Sequence, residues 1–372
     1  MDSMKSLGLY FHIPFCRQKC VYCDFYSLPG SESKMDAYAV SLRDFLEPAV
    51  GYAVDSVYFG GGTPSYFGAR RLTEVLHRVF QVFQVSPDAE ITLEANPDSA
   101  VNPEKLRRLR SGGFNRISLG MQSASGRELA ELGRIHTMEQ TGKAVEAARK
   151  AGFENLSLDL IYGLPGQSLE RWRRNLEAAV QFEPEHLSCY GLKAEPNTPL
   201  YSRRHTLPDD DLQAAMYLET VRFLGERGYE QYEISNFARP GKFSRHNWKY
   251  WTLGEYLGFG PGAHSDFQGR RWAWDRDLDG WLSGRIACSE ESFPSRQERR
   301  REWLMLGLRT VRGIGLSGGE FASFLPFLER CAEAGYARCL QDRWSLTPEG
   351  FLVSNQIIVE LLQILDREGG SL

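Results

Sequence analysis

The chain lacks any strong excess of charge: its formal net charge is −4 over 372 residues, too little to draw it toward nucleic acid or an anionic membrane. Long apolar runs are missing as well. The opening segment, Met1 to Ser6, leads into an apolar run of only about eight residues, whereas a membrane span needs roughly 20 and a secretory signal has a different build. The cytoplasm is therefore the expected location, with no integral membrane segment and only peripheral membrane contact left open. Paired cysteines are also lacking. Seven is an odd number, and Cys189, Cys288, Cys331 and Cys339 follow no ligand spacing, so these four read as reduced, mostly buried thiols rather than a disulfide framework. What remains is an ordinary globular composition, 42% hydrophobic and 25% charged, long enough for a barrel of roughly 200 to 250 residues and a smaller domain.

The other three cysteines are clustered. Cys16, Cys20 and Cys23 lie in the run Phe15-Cys16-Arg17-Gln18-Lys19-Cys20-Val21-Tyr22-Cys23-Asp24-Phe25 with the spacing C-x3-C-x2-C. Thiolates are soft ligands for iron–sulfur clusters or zinc, and three on one short loop can reach three corners of a single cluster. A structural zinc site needs a fourth protein ligand, and the nearest candidate, His12, falls on a predicted strand. A 4Fe-4S cluster with one open iron needs no fourth ligand. This spacing resembles that of the radical S-adenosylmethionine (SAM) superfamily, and the resemblance implies that SAM chelates the open iron.

Short apolar segments alternate with longer helical ones, which predicts βα units and a parallel sheet. The expected strands are Gly8 to Ile13, Ser56 to Phe59, Glu90 to Ala95, Arg116 to Leu119, Leu156 to Ile161 and His186 to Tyr190. Asn102-Pro103 marks a helix start that Gly112 ends, and Thr137 with Gln140 forms a capping box on a helix that Gly152 closes. Right-handed crossovers put the C-terminal ends of the strands on one side, where such barrels hold their chemistry. At those ends stand Gly60-Gly61-Gly62-Thr63-Pro64, whose glycines allow backbone to approach a ligand and are expected to expose unpaired N–H and C=O groups. The polar Glu94, Gln122 and Asp159 also stand there, in strands that otherwise read as apolar. A buried carboxylate is costly unless it meets a donor or a cation; ribose hydroxyls and a sulfonium or ammonium centre would serve, as would an arginine such as Arg116 or Arg134.

From Tyr10-Phe11-His12-Ile13-Pro14-Phe15-Cys16 through Gly163-Leu164-Pro165-Gly166-Gln167 to its C-terminal region, the chain resembles the group containing oxygen-independent coproporphyrinogen III oxidase and its HemW-type haem chaperone relatives. The resemblance implies that Tyr10, Gly61, Gly62, Thr63, Glu94, Gln122, Arg134 and Asp159 line the SAM pocket. It also implies an α/β fold, a partial (β/α)6 radical SAM barrel with a small C-terminal winged-helix-like domain. The corresponding divisions are residues 1–230 for the barrel with its cluster and SAM site, 231–292 for an extension, and 293–372 for the C-terminal domain.

Two departures from the oxidase pattern bear on function. The oxidase motif continues with a further cysteine two residues after the third, where this chain has Phe25. With nine residues ahead of Tyr10, the extra N-terminal segment of the oxidases is also expected to be absent. In their place the extension carries Arg245-His246-Asn247-Trp248-Lys249-Tyr250-Trp251, an H-N-x-x-Y-W run that resembles the haem chaperones. Its imidazole, beside aromatic faces, makes His246 the candidate axial ligand for haem, and His264, on a glycine-rich turn, is a further histidine to place. Near Arg296 to Arg301 the arginines are offset by Glu298 and Glu302, which speaks for a solvated or partner-facing helix rather than nucleic acid. Two functional classes follow. One is a haem carrier, holding a 4Fe-4S cluster and SAM and delivering haem to haem-requiring, notably respiratory, proteins. The other is a radical SAM coproporphyrinogen III oxidase. Phe25 and the H-N-x-x-Y-W run favour the carrier, in which no catalytic residue is assigned.

Overall fold

All six expected strands form, and each shows the same alternation. In β1 (Lys5–Ile13), Leu7, Leu9, Phe11 and Ile13 are fully buried and face outward, into a core shared with Tyr38, Leu42, Leu72 and Leu76 of the crossover helices. The ring of Phe11 lies 4.7 Å from that of Phe59 and 5.0 Å from that of Phe259. The intervening residues of each strand point inward, as the period of two requires. With β2 (Tyr52–Gly61), β3 (Val85–Ala95), β4 (Arg116–Gln122), β5 (Leu156–Tyr162) and β6 (His186–Gly191), β1 forms a parallel array in chain order. The expected caps are present: Asn102 accepts from the N–H groups of Glu104 and Lys105, and Thr137 and Gln140 form a reciprocal capping box. The structure is a computed structural model that describes residues 4–316 and 321–369. Among the described residues, no helix is long and apolar enough to cross a membrane.

Six strands do not close into a barrel, and both free edges are covered. Beyond β6 lie β8 (Asn236–Ala238) and β7 (Glu230–Glu233), antiparallel. Beyond β1, β9 (Tyr256–Phe259) adds in parallel, followed by antiparallel β10 (His264–Phe267), β11 (Arg270–Trp274) and β12 (Cys288–Ser292). Residues 231–292 are therefore no separate unit. Their strands satisfy the hydrogen-bonding edges that an unclosed barrel leaves open, and the boundary drawn at 230 falls inside β7.

The segment from 293 onward has a sheet and a core of its own. The helix Arg296–Gly307, capped by Ser295 and Glu298, packs with the helices Leu325–Glu333 and Ser354–Gly369 around Leu304, Leu308, Phe324, Leu328 and Leu361. β13 (Ile314–Gly315), β14 (Ala337–Leu340) and β15 (Arg343–Leu346) form a three-stranded antiparallel sheet. The helix Leu325–Glu333 carries Pro326 in its first turn, where proline is well suited. The arginines are engaged within the fold. Arg299 and Arg271 both clamp Asp266 and Glu302, tying the C-terminal unit to the edge of the large sheet.

The short helix Arg245–Trp251 plugs the end of the barrel opposite the strand C-termini. Glu90 on β3 accepts from the backbone N–H groups of Arg245 and His246, each at 3.1 Å, and Lys249 pairs with Asp55 on β2 at 2.8 Å. Two carboxylates at this end thus hold the plug, Glu90 meeting the exposed N–H groups at its N-terminus.

Candidate functional site

A loop follows β1, and its base is closed by two hydrogen bonds, Cys16 N–H to Leu28 O at 3.0 Å and Leu28 N–H to Pro14 O at 2.7 Å. Phe15, fully buried and stacked on Phe67 at 5.7 Å, anchors it. Cys16, Cys20 and Cys23 all line one cavity of ≈ 610 Å³ that occupies the barrel interior. Burial holds the Cys16 and Cys23 thiols above the ordinary range, so their thiolates need a cationic centre beside them. Among the described residues, no three His, Cys, Asp or Glu side chains gather around a single-ion site. His12 is not a fourth ligand: its ring nitrogens sit 3.1 Å from Tyr10 Oη and 2.8 Å from Tyr26 O, and burial holds it down at about 4. Three thiols around one cavity and no fourth ligand suit a cuboidal cluster, whose irons are separate corners, better than closed tetrahedral zinc.

The glycine loop after β2 lies directly against the cysteine loop. Gly61 has φ +105°, a conformation that favours glycine, and a Cβ on Gly62 would stand 2.8 Å from Ile13 O and 2.9 Å from Phe15 O. The N–H groups of Gly61, Gly62 and Thr63 are all taken within the protein, by Glu94 Oε2, Ile13 O and Phe15 O. This corrects the expectation of free backbone donors there; a backbone contact from these residues to a ligand runs through carbonyl oxygens. Thr63 Oγ1 is 3.3 Å from Cys16 Sγ, which links the two loops at the cavity mouth.

Glu94, Gln122, Arg134 and Asp159 line the same cavity, with Gly61, Gly62 and Thr63. Among the described residues, neither carboxylate makes a hydrogen bond or contact ion pair with an arginine, although the charge of Arg116 reaches both. Glu94 accepts from Tyr58 Oη at 2.7 Å, and Asp159 accepts from Ser118 Oγ at 3.0 Å. Burial pushes the Glu94 carboxyl up to about 7 and raises that of Asp159. Arg134 reaches Asn96 Oδ1 at 2.8 Å and Cys20 Sγ at 3.5 Å, so it bridges the strand ends and the thiols. Gln122 has φ +61°, a left-handed conformation uncommon for a residue with a side chain. The cavity therefore presents thiols at its mouth and hydrogen-bonding carboxyl groups along its wall, an arrangement suited to a cluster and a cationic, hydroxyl-bearing cofactor.

Two expected site residues are not on the cavity wall. Tyr10 sits behind it, hydrogen-bonded to His12 and stacked near Tyr58 at 6.2 Å. His246 is 0% exposed, with Nδ1 3.0 Å from Ser56 Oγ and Nε2 2.8 Å from Tyr250 Oη. Burial, together with the charges of Lys249 and Arg116, lowers it to about 3. With both nitrogens engaged and the ring packed against Tyr58 at 5.3 Å, His246 is not placed to meet haem iron; it is the centre of the plug. His264 is exposed at the start of β10 and is not part of the cavity lining. Asn247, beside His246, does line the cavity, as do Tyr58, Asn96, Ser118 and Ser188. The period-two alternation could have identified Tyr58, Ser118 and Ser188 as inward-facing; Asn247 stood in the H-N-x-x-Y-W run, of which only the histidine and the aromatic residues were given a role.

Residues 10–179 match the family model described as the radical SAM superfamily. The chain is 36% identical to "Heme chaperone HemW" of Escherichia coli (strain K12), over 96% of this chain and 98% of that protein. It is 34% identical to "Heme chaperone HemW" of Bacillus subtilis (strain 168), over 95% and 98%. Among solved structures it is similar to coproporphyrinogen III oxidase (HemN) from Escherichia coli, with a TM-score of 0.82, 24% identity and coverage of 96% and 90%; that likeness speaks for the fold. From the thiol loop, the barrel and nearly end-to-end relatives, the chain belongs to the Heme chaperone HemW family of the radical SAM superfamily.

Proposed function

We propose that this chain is a haem chaperone of the cytoplasm, which binds haem and passes it to haem-requiring proteins, respiratory proteins among them. The near full-length likeness to proteins named as haem chaperones carries this reading. Phe25 supports it. Where the oxidase pattern has a cysteine, this side chain is 67% exposed at the cavity mouth, offering an apolar face to a flat aromatic ligand. Cys16, Cys20 and Cys23 would hold the 4Fe-4S cluster. Gly61, Gly62, Thr63, Glu94, Gln122, Arg134 and Asp159 would surround SAM, with Tyr10 supporting them through His12. When bound, cluster and SAM supply radical chemistry, which is a property of the cofactors rather than of these side chains.

The test is a pair of anaerobic measurements on one reconstituted preparation. Haem titration should give a Soret band that saturates with protein, while coproporphyrinogen III should show negligible decarboxylation. Robust turnover without haem uptake would restore the oxidase reading.

A second measurement addresses the SAM wall. Glu94→Ala and Asp159→Ala should each weaken SAM binding by roughly 1–3 kcal/mol, the scale for a lost charge-assisted hydrogen bond. Because the Glu94 carboxyl titrates near 7 and a cationic ligand prefers its ionised form, wild-type affinity should rise as pH climbs through 7. Glu94→Ala should flatten that rise. Calorimetric titration at pH 6 and pH 8 reads both effects, and unchanged affinities in correctly folded variants would make these carboxylates structural.

A further inference from the structure

The cavity runs from the thiol mouth down to the plug, and its floor holds a cation that no acceptor touches, its charge met only at longer range, by Glu90 first. Arg116, the first residue of β4, is 2% exposed and lines the cavity. No hydrogen bond or ion pair engages it among the described residues, and its Nε and Nη1 are buried without an acceptor. Leaving buried guanidinium donors unmet is costly, so an acceptor is expected to enter from the cavity.

The carboxylates nearby do not fill that role, because each is committed elsewhere. Glu90 accepts from the N–H groups of Arg245 and His246. Glu94 is held by Tyr58 and Gly61, and Asp159 by Ser118. The two histidines that feel the charge of Arg116, His186 and His246, are lowered by burial first; that charge comes next for His186 and after the charge of Lys249 for His246. They add no competing positive charge and, with their nitrogens engaged, no acceptor.

The plug helix contributes a second donor to the same cavity. Its Asn247 lines the same cavity; its backbone N–H donates to Ser244 Oγ, and among the described residues its side-chain amide makes no hydrogen bond. We infer that Arg116 and Asn247 form an anion subsite at the cavity floor that takes the carboxylate end of a ligand arm. A planar guanidinium fork matches a carboxylate, and an amide N–H can add a further hydrogen bond. The inference rests on the haem-chaperone reading for the identity of the arm: haem offers two flexible propionates, and the subsite receives one of them. The role of the H-N-x-x-Y-W run is then divided. His246 holds the plug in place, and Asn247 meets the cargo.

The experiment compares haem with iron etioporphyrin, which has the same metal and ring but no carboxylate, in Soret titrations of the anaerobic protein. Wild type should bind haem roughly tenfold to a hundredfold more tightly than iron etioporphyrin, the scale of one lost charge-assisted contact. Arg116→Met should erase that preference, and Asn247→Ala should reduce it, while cluster content stays near wild type. Equal wild-type affinity for the two porphyrins overturns the subsite and leaves the carrier reading intact, and it needs no variant to fold. Arg116→Met that folds and keeps the full preference for haem overturns it as well. Failure of wild type to take up either porphyrin overturns the carrier reading, and the subsite with it.

Discussion

Cys16→Ala, Cys20→Ala and Cys23→Ala should each leave the anaerobically reconstituted protein without its iron–sulfur absorption, while Cys189→Ala retains it. The three thiols line one cavity, and among the described residues no other cysteine or histidine lines it. His12 is held by Tyr10 and Tyr26, and Cys189 is buried in β6, facing away from the cavity toward the outer core. Loss of one thiolate removes a corner of the cluster and leaves the other two cysteines without a complete set of partners to hold it. Iron and sulfide analysis with absorption spectroscopy checks the outcome. An intact cluster in Cys20→Ala, or stoichiometric zinc with no iron in wild type, would contradict the assignment.

The second large effect belongs to His246, and it is an effect on stability. His246→Ala removes a fully buried ring that makes two hydrogen bonds and packs against Tyr58. A large-to-small change of that kind, leaving Ser56 and Tyr250 without their partner, costs roughly 2–5 kcal/mol. The same residue makes the fold sensitive to acid. Its folded pKa is lowered to about 3, so the unfolded chain, with an imidazole near 6.5, binds the proton first as pH falls. The stability gained from the neutral ring is present above about 6.5 and is lost at about 1.4 kcal/mol per pH unit below it, down toward 3. His186 is lowered for the same leading reason, burial, and adds in the same direction. Denaturant midpoints should therefore fall between pH 7.5 and pH 5.5 in wild type, and fall less steeply in His246→Ala, whose midpoint starts lower. A variant as stable as wild type that loses the Soret band would return His246 to the role of axial ligand.

Where sequence and structure agree, the reason is local. The thiol spacing, the glycine run and the helix caps at Asn102 and Thr137 each span a few residues, and chain connectivity alone brings their groups together. The six parallel strands were legible because their apolar residues recur at the period that one buried face demands. The inward face was only partly legible: Glu94, Gln122 and Asp159 were conspicuous as polar residues in apolar strands, whereas Tyr58 and Ser188 resemble ordinary strand residues.

By itself, the sequence determined the C-x3-C-x2-C loop, the order of the six strands and the family to which the chain belongs. The tertiary structure decided the rest of the sheet and the fate of the H-N-x-x-Y-W run. β9 pairs with β1 across about 250 residues of chain, a partnership chosen by an open sheet edge and not by any nearby signal. On a helix, successive side chains point about 100° apart, so His246 and Asn247 cannot share a direction. Which of them faces the cavity depends on how the helix is seated, and that is set by Glu90 and Asp55 on strands far earlier in the chain.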